Sequence, residues 1–141
     1  MIVLDTNIVS ELSHDRSNLA VVEWIKKQDD AELFLCIPVI AELAFGAHRF
    51  LLRNRNSKHL VGLNKLVDDR FRNRILPMNM VAALRYGQLF AAREMMGRPI
   101  GPMDAMIAAI CLAHDATLAT RNVRDFDGLD LKLVNPFEAG A

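Results

Sequence analysis

The chain reads as an α/β protein, an open parallel sheet with helices on both faces. Two observations predict it. Short apolar runs at residues 2–4, 33–37, 75–76 and 117–119 do not alternate with polar residues, as expected of strands buried on both sides, and residues 131–134 add an edge strand. Segments with helical spacing lie between most of them, and parallel pairing needs such crossovers. The size, 141 residues, and the composition, 52% apolar and 24% charged, are those of one globular domain, so residues 1–141 are expected to form a single domain. No low-complexity tract or internal repeat interrupts it.

Ile2-Val3-Leu4 makes the first strand and stops at Asp5. Thr6 or Asn7 is expected to cap a helix through about Leu12, because a short polar side chain can bond the free N–H groups of a first turn. Ser17 is expected to open a second helix with Leu19, Val22 and Ile25 on its apolar side. Leu33 to Ile37 follows as a strand. Pro38 suits the first turn of a third helix, where its missing N–H costs nothing. That helix carries Val39, Leu43 and Phe50 and runs past Arg53. Ser57 to Asn73 has apolar residues at 60, 63, 66 and 67, the spacing of an amphipathic helix. Ile75-Leu76 is a short strand. Asn79 caps a long helix through Met96, ended by Gly97. Gly101-Pro102 starts a helix to about His114, Thr117-Leu118-Ala119 is a strand, and Leu131 to Val134 is an edge strand before Asn135-Pro136.

The formal net charge is zero, so no global field draws the chain to a polyanion. The charge is uneven, however. Arg49 to Arg74 holds eight basic and two acidic residues. Such a segment can contact phosphate or be a solvated helical hairpin. Cys36 and Cys111 each sit among apolar neighbours without a second Cys or a His at metal spacing, and are expected as reduced core residues. That fits a cytoplasmic location. Met1 to Leu4 lacks a basic flank and is cut short by Asp5, unlike a secretion signal. The uncharged helical stretch Ala105 to Ala113 is far below the roughly 20 residues needed to cross a bilayer, so no membrane association is expected.

Three carboxylates stand alone in apolar runs. Asp5 is the only charge in MIVLDTNIV, Glu42 in LFLCIPVIAELAFGA, and Asp104 in PIGPMDAMIAAICLA. An ionised carboxylate beside a core costs several kcal/mol unless it is paired, and no Lys or Arg lies in these runs. Asp5 closes the first strand, Glu42 lies just past the second, and Asp104 sits in a first helical turn. In an open α/β sheet such positions meet at the carboxyl edge of the strands, where ligands bind. Convergent carboxylates repel, and either a proton or a cation must relieve them. The available ligands are oxygens: the three acids, the Asn7 and Asn122 amides, and the Thr6 and Thr120 hydroxyls. Oxygen sets favour Mg²⁺ or Mn²⁺ over Zn²⁺, and Mg²⁺ commonly bridges to phosphate. Phosphodiester hydrolysis by a metal-activated water follows as the expected chemistry, with Glu42 as a candidate base. Taken singly, Asp5 could be a helix cap and Asp104 a favourable charge at a helix N-terminus. Glu42 is hardest to explain that way.

The segments IVLDTNIVSEL, IPVIAELAFGA, GPMDAMIAAICLAH and LATRNVRDF together resemble the PIN-domain ribonucleases, in particular VapC-type toxins of toxin–antitoxin pairs, including the FitB-like branch. The resemblance covers essentially the whole chain. It implies a three-layer α/β/α PIN domain with a central parallel sheet and a Mg²⁺- or Mn²⁺-dependent endoribonuclease acting on RNA. Asp5, Glu42 and Asp104 match three acids of the family; Asp5 and Asp104, with Glu42 directly or through a water, are the implied metal ligands. A fourth acid of many members falls at Asn122, which lowers the local negative charge by one. Asp125, one turn on, is a possible extra acid outside the family position. Thr6, Asn7 and Thr120 match supporting polar positions. The resemblance also implies a homodimer and a cognate VapB-type antitoxin, for which Leu43 to Leu52 and Leu60 to Val67 are candidate groove walls; plain core packing would give the same pattern. Two alternatives remain open. One is a catalytically weak PIN-fold module binding RNA or antitoxin, which Asn122 favours. The other is an aspartyl-phosphate enzyme, disfavoured because Asp5-Thr6-Asn7 lacks a second acid.

Overall fold

A computed structural model describes residues 1–12 and 17–138. Five parallel strands form one sheet: β1 (Ile2–Leu4), β2 (Leu33–Cys36), β3 (Ile75–Leu76), β4 (Thr117–Ala119) and β5 (Leu133–Val134), in the order β3-β2-β1-β4-β5. β1 is central, with Ile2 paired to Leu33 on one side and to Thr117 on the other. The chain therefore winds outward from β1 through β2 to β3, then returns to β4. The reversal point lies between β1 and β4, where open α/β sheets bind ligands. Val3, Leu4, Leu33, Leu35, Leu118 and Ala119 are fully buried, which matches unalternating apolar strands covered on both faces.

Helices lie on both sides of the sheet: α1 (Thr6–Ser10), α2 (Leu19–Lys26), α3 (Ile37–Asn54), α4 (Lys58–Lys65), α5 (Met80–Met95) and α6 (Pro102–Ala113). Pro38 and Pro102 each occupy a first turn. The α6 segment from Ile107 to Cys111 is completely buried, so its lack of polar residues marks a central core helix. Among the described residues, no helix is long and apolar enough to cross a membrane. Cys36 and Cys111 are free and buried.

Three expectations are corrected. The cap of α1 is Asp5, not Thr6 or Asn7: leaving β1 in extended conformation, its carboxylate accepts the Thr6 N–H. The helix stops at Ser10 because the chain turns at Glu11, whose carbonyl accepts from the Ser17 hydroxyl and whose carboxylate accepts from the Asn18 N–H. The cap of α2 is Asn18 rather than Ser17, and the buried side is Val21 and Ile25, with Leu19 78% exposed. The helix expected through Asn73 ends as α4 at Lys65 and continues as one wide turn, Leu66–Arg70. There the Phe71 N–H reaches back five residues to the Leu66 carbonyl. The extra residue swings Phe71 into the core, where it is fully buried, a gain in apolar burial that a regular turn would forgo.

Arg93 of α5 is 4% exposed, an unusual place for a guanidinium. Its Nε donates to the Arg98 carbonyl at 2.8 Å, and Nη1 donates to the carbonyls of Asp125 and Asp127 at 3.3 and 3.2 Å. It thus fastens the segment after β4 to α5. Arg93→Met keeps the stem but strands those carbonyls, and is expected to cost about 2–3 kcal/mol in a urea melt. A loss below about 0.5 kcal/mol would show that the clamp is not needed.

Candidate active site

The carboxyl ends of β2, β1 and β4 carry the acids the sequence singles out. Asp5, first residue after β1, is 4% exposed. Its N–H extends the ladder to the Ala119 carbonyl at 2.9 Å. One carboxylate oxygen accepts the Thr6 N–H at 2.8 Å, and the other accepts the Thr120 hydroxyl at 2.7 Å. Thr120, itself fully buried, also accepts the Asn122 N–H at 3.0 Å. Glu42, in the second turn of α3, accepts the Thr6 hydroxyl at 2.9 Å. Thr6 therefore ties the first acid's segment to the second. Asp104 lies half-buried in the first turn of α6. Asn7 accepts the Arg121 N–H through its amide oxygen at 3.4 Å.

Electrostatics connect these residues. Burial pushes the Asp104 carboxyl up to about 6, and the charges on Asp5, Glu42 and Asp125 push it the same way. Burial also raises Asp5, against the pull of its Thr120 and Thr6 bonds, with Asp125 adding a smaller push. Asp5, Glu42, Asp104 and Asp125 thus share one field. Among the described residues no Lys or Arg forms an ion pair with Asp5, Glu42 or Asp104. Asp125 sits on the turn Val123–Phe126 behind Asn122, so its contribution is electrostatic and from an exposed position. Cys36 lies within the same field; burial first, then Asp5 and Glu42, hold its thiol up to about 12.

The donor set tests the fit of a cation. As the side chains stand, no three acidic, His or Cys groups among the described residues are gathered tightly around one point. Mg²⁺ does not need such a cage: it is usually held by one or two carboxylates and keeps several waters. A buried Asp5 and the half-buried Glu42 and Asp104, without a Lys or Arg ion pair among the described residues and with hydroxyl neighbours, fit that requirement.

A groove of about 1420 Å³ opens from Thr6 and Glu42 along α3 and α4. Leu43, Phe50, Leu63 and Leu66 contribute to its apolar wall, as the candidate groove segments anticipate. Leu52 is 82% exposed and is not part of that wall.

Five parallel strands in the order β3-β2-β1-β4-β5, with helices on both faces and carboxylates along the carboxyl edge of the sheet, define the fold class of the PIN-domain nucleases. The chain belongs to the PIN-domain family, whose model matches residues 2–131. It is 36% identical to the VapC ribonuclease Y4jK of Sinorhizobium fredii over 138 residues, 98% of this chain and 99% of that protein. It is 32% identical to the toxin FitB of Neisseria gonorrhoeae over 139 residues, 97% and 99% of the two. The crystal structure of FitAcB from Neisseria gonorrhoeae matches with a TM-score of 0.85 at 31% identity, covering 98% of this chain and 99% of that one.

Thr120, expected as a supporting polar residue, donates its hydroxyl directly to Asp5. Arg93 anchors the Asn122–Asp127 segment, yet in an amphipathic helix pattern it reads as a surface residue.

Two outcomes test this electrostatic picture. Asp104 is raised, so the folded metal-free protein binds a proton that the unfolded chain has already lost between the ordinary value, 3.8, and about 6. Metal-free stability should therefore fall as pH rises through that window and then level off. Asp104→Asn should flatten the slope in thermal melts recorded with chelator, and an unchanged slope would count against the shared field. Thr120→Val removes a donor to Asp5 with little change of shape. It should weaken Mn²⁺ binding about tenfold in calorimetry; equal affinity would make the hydroxyl dispensable.

Proposed function

We propose that the chain is a Mg²⁺- or Mn²⁺-dependent endoribonuclease, the toxin of a toxin–antitoxin pair, with residues 1–141 acting as a single PIN domain in the cytoplasm. One observation carries the reading: the charges of Asp5 and Glu42, from two other segments, bear on Asp104 at the sheet edge, and among the described residues no Lys or Arg forms an ion pair with any of the three. Asp5 and Asp104 would hold the ion, with Glu42 joining directly or through a water. When bound, the cation lowers the pKa of a water and steadies charge on the phosphate oxygens. Glu42, oriented by the Thr6 hydroxyl, takes the proton of the attacking water as its oxygen bonds to phosphorus and the ester oxygen leaves. The Thr120 hydroxyl aims Asp5 and favours its ionised form against the opposing effect of burial. Asn122 stands where many family members have an acid, and its neutral amide leaves Asp125 as the nearby negative charge on that turn.

The relatives named as a VapC ribonuclease and as a toxin support an RNA substrate and an antitoxin partner, the antitoxin being seated along the apolar wall of α3 and α4. The exposed face of α5, with Met80 74%, Val81 54% and Leu84 70% exposed, supports a second copy as the homodimer partner, since exposed apolar clusters commonly mark interfaces. A second reading, a catalytically weak RNA- or antitoxin-binding module, draws on Asn122 alone.

Asp5→Asn is the decisive variant. The purified chain should cut RNA with Mg²⁺ or Mn²⁺, and the variant should lose at least 100-fold, on the order expected when a principal electrostatic group is removed. A variant as fast as the parent rejects the nuclease. Mn²⁺ binding without any cleavage favours the second reading.

A further inference from the structure

The groove beside Glu42 carries a chemistry that the acids do not require. Glu42, Phe45 and Arg49 follow one another along α3 at steps of three and four residues, so they form one stripe. From Glu42 to Arg49 the helix advances about 10 Å. Phe45 is 65% exposed, and the Arg49 guanidinium carbon lies 5.0 Å from its ring centroid. Farther along, Phe50 and His59 meet edge to face at 4.4 Å, and the Lys58 ammonium lies 5.2 Å from the Phe50 ring. Arg49, Lys58, His59 and Arg70 all line the groove, and Glu42 is its only carboxylate among the described residues.

We infer that this stripe is a subsite for single-stranded RNA: an unpaired base stacks on the Phe45–Arg49 pair, and neighbouring phosphates lie against Lys58 and Arg70, which leads the strand to Glu42. The inference rests on the ribonuclease reading and adds to it where the substrate runs. An aromatic face and a guanidinium plane are the surfaces on which splayed bases stack. An exposed ring beside a cation has no evident packing role. An apolar segment of the antitoxin answers the leucine wall but leaves Arg49 and Lys58 without a counter-charge, whereas a polyanion answers them and also competes with Asp30 for Arg70, 3.9 Å away, so RNA and antitoxin would compete for one groove. The stripe is only about 10 Å long, so a short stretch of one extended strand can touch both the stacking pair and the acids. The groove also concentrates positive charge in a chain whose net charge is zero.

The test uses the full chain and a fluorescein-labelled, 2′-O-methyl single strand of about ten nucleotides, read by fluorescence anisotropy, which does not depend on cleavage. Phe45→Leu should weaken binding about tenfold and Phe45→Tyr should restore it. One abasic position in the strand should cost as much, and its loss should not add to that of Phe45→Leu. Lys58→Gln should lower the salt dependence of binding by about 0.7 in log–log slope, one phosphate contact. Phe45 is exposed, so these variants should fold, and thermal melts check that. The inference is overturned if Phe45→Leu and Lys58→Gln leave affinity and slope unchanged. It is likewise overturned if Phe45→Leu spares RNA binding and instead weakens inhibition by the antitoxin. Either failure leaves the nuclease standing, so long as Asp5→Asn abolishes cleavage. If Asp5→Asn cuts at the parent's rate, the nuclease reading falls while the binding result is still read.

Discussion

Most of this structure depends on a carboxylate placed where a carboxylate is costly. Asp5 is almost wholly shielded from water at the centre of a parallel sheet, between the two strands whose connections run in opposite directions. Its two oxygens are engaged by a backbone N–H and by a hydroxyl, both neutral donors. Neutral donors reduce the desolvation cost but leave a whole negative charge in place. Adding Glu42, Asp104 and Asp125 to the same field makes the site electrostatically incomplete as protein alone. A small divalent cation is the simplest group that would complete it.

The same residue caps α1, which joins local and global structure. The turn that ends β1 fixes the Thr6 N–H on Asp5, and the Thr6 side chain then reaches Glu42 on another helix. Thr120 does the equivalent from the end of β4. Two uncharged threonines therefore hold Asp5 and link it to Glu42. A Lys or Arg in either place would relieve the repulsion.

The acids were legible in the sequence because burial logic makes them conspicuous: one charge in each of three apolar runs. The strands were legible for a similar reason, since Ile2–Leu4, Ile75–Leu76 and Thr117–Ala119 are short, apolar and bounded by turn residues. The irregular backbone was not. Apolar periodicity assumes a fixed number of residues per turn, and the wide turn before Phe71 inserts one more to bury that ring. On α2, Ile25 is buried as expected, but Leu19, apolar and at the right spacing, is not, because it lies in the first turn, where the helix has only begun to meet the core. Arg93 was invisible because nothing in a sequence distinguishes a guanidinium that bonds carbonyls from one that faces water.

The way Arg93 holds its segment bears on Asn122. The guanidinium bonds main-chain carbonyls of Asp125 and Asp127 and no side chain of the turn. A clasp of that kind is indifferent to which amino acids the turn displays. Positions 122 and 125 can trade acid for amide, or shift a carboxylate by one turn, while the backbone stays docked on α5. The charge that this turn presents to the sheet edge can therefore change while the scaffold that holds the turn stays as it is, and a neutral Asn122 is the kind of residue such a scaffold tolerates.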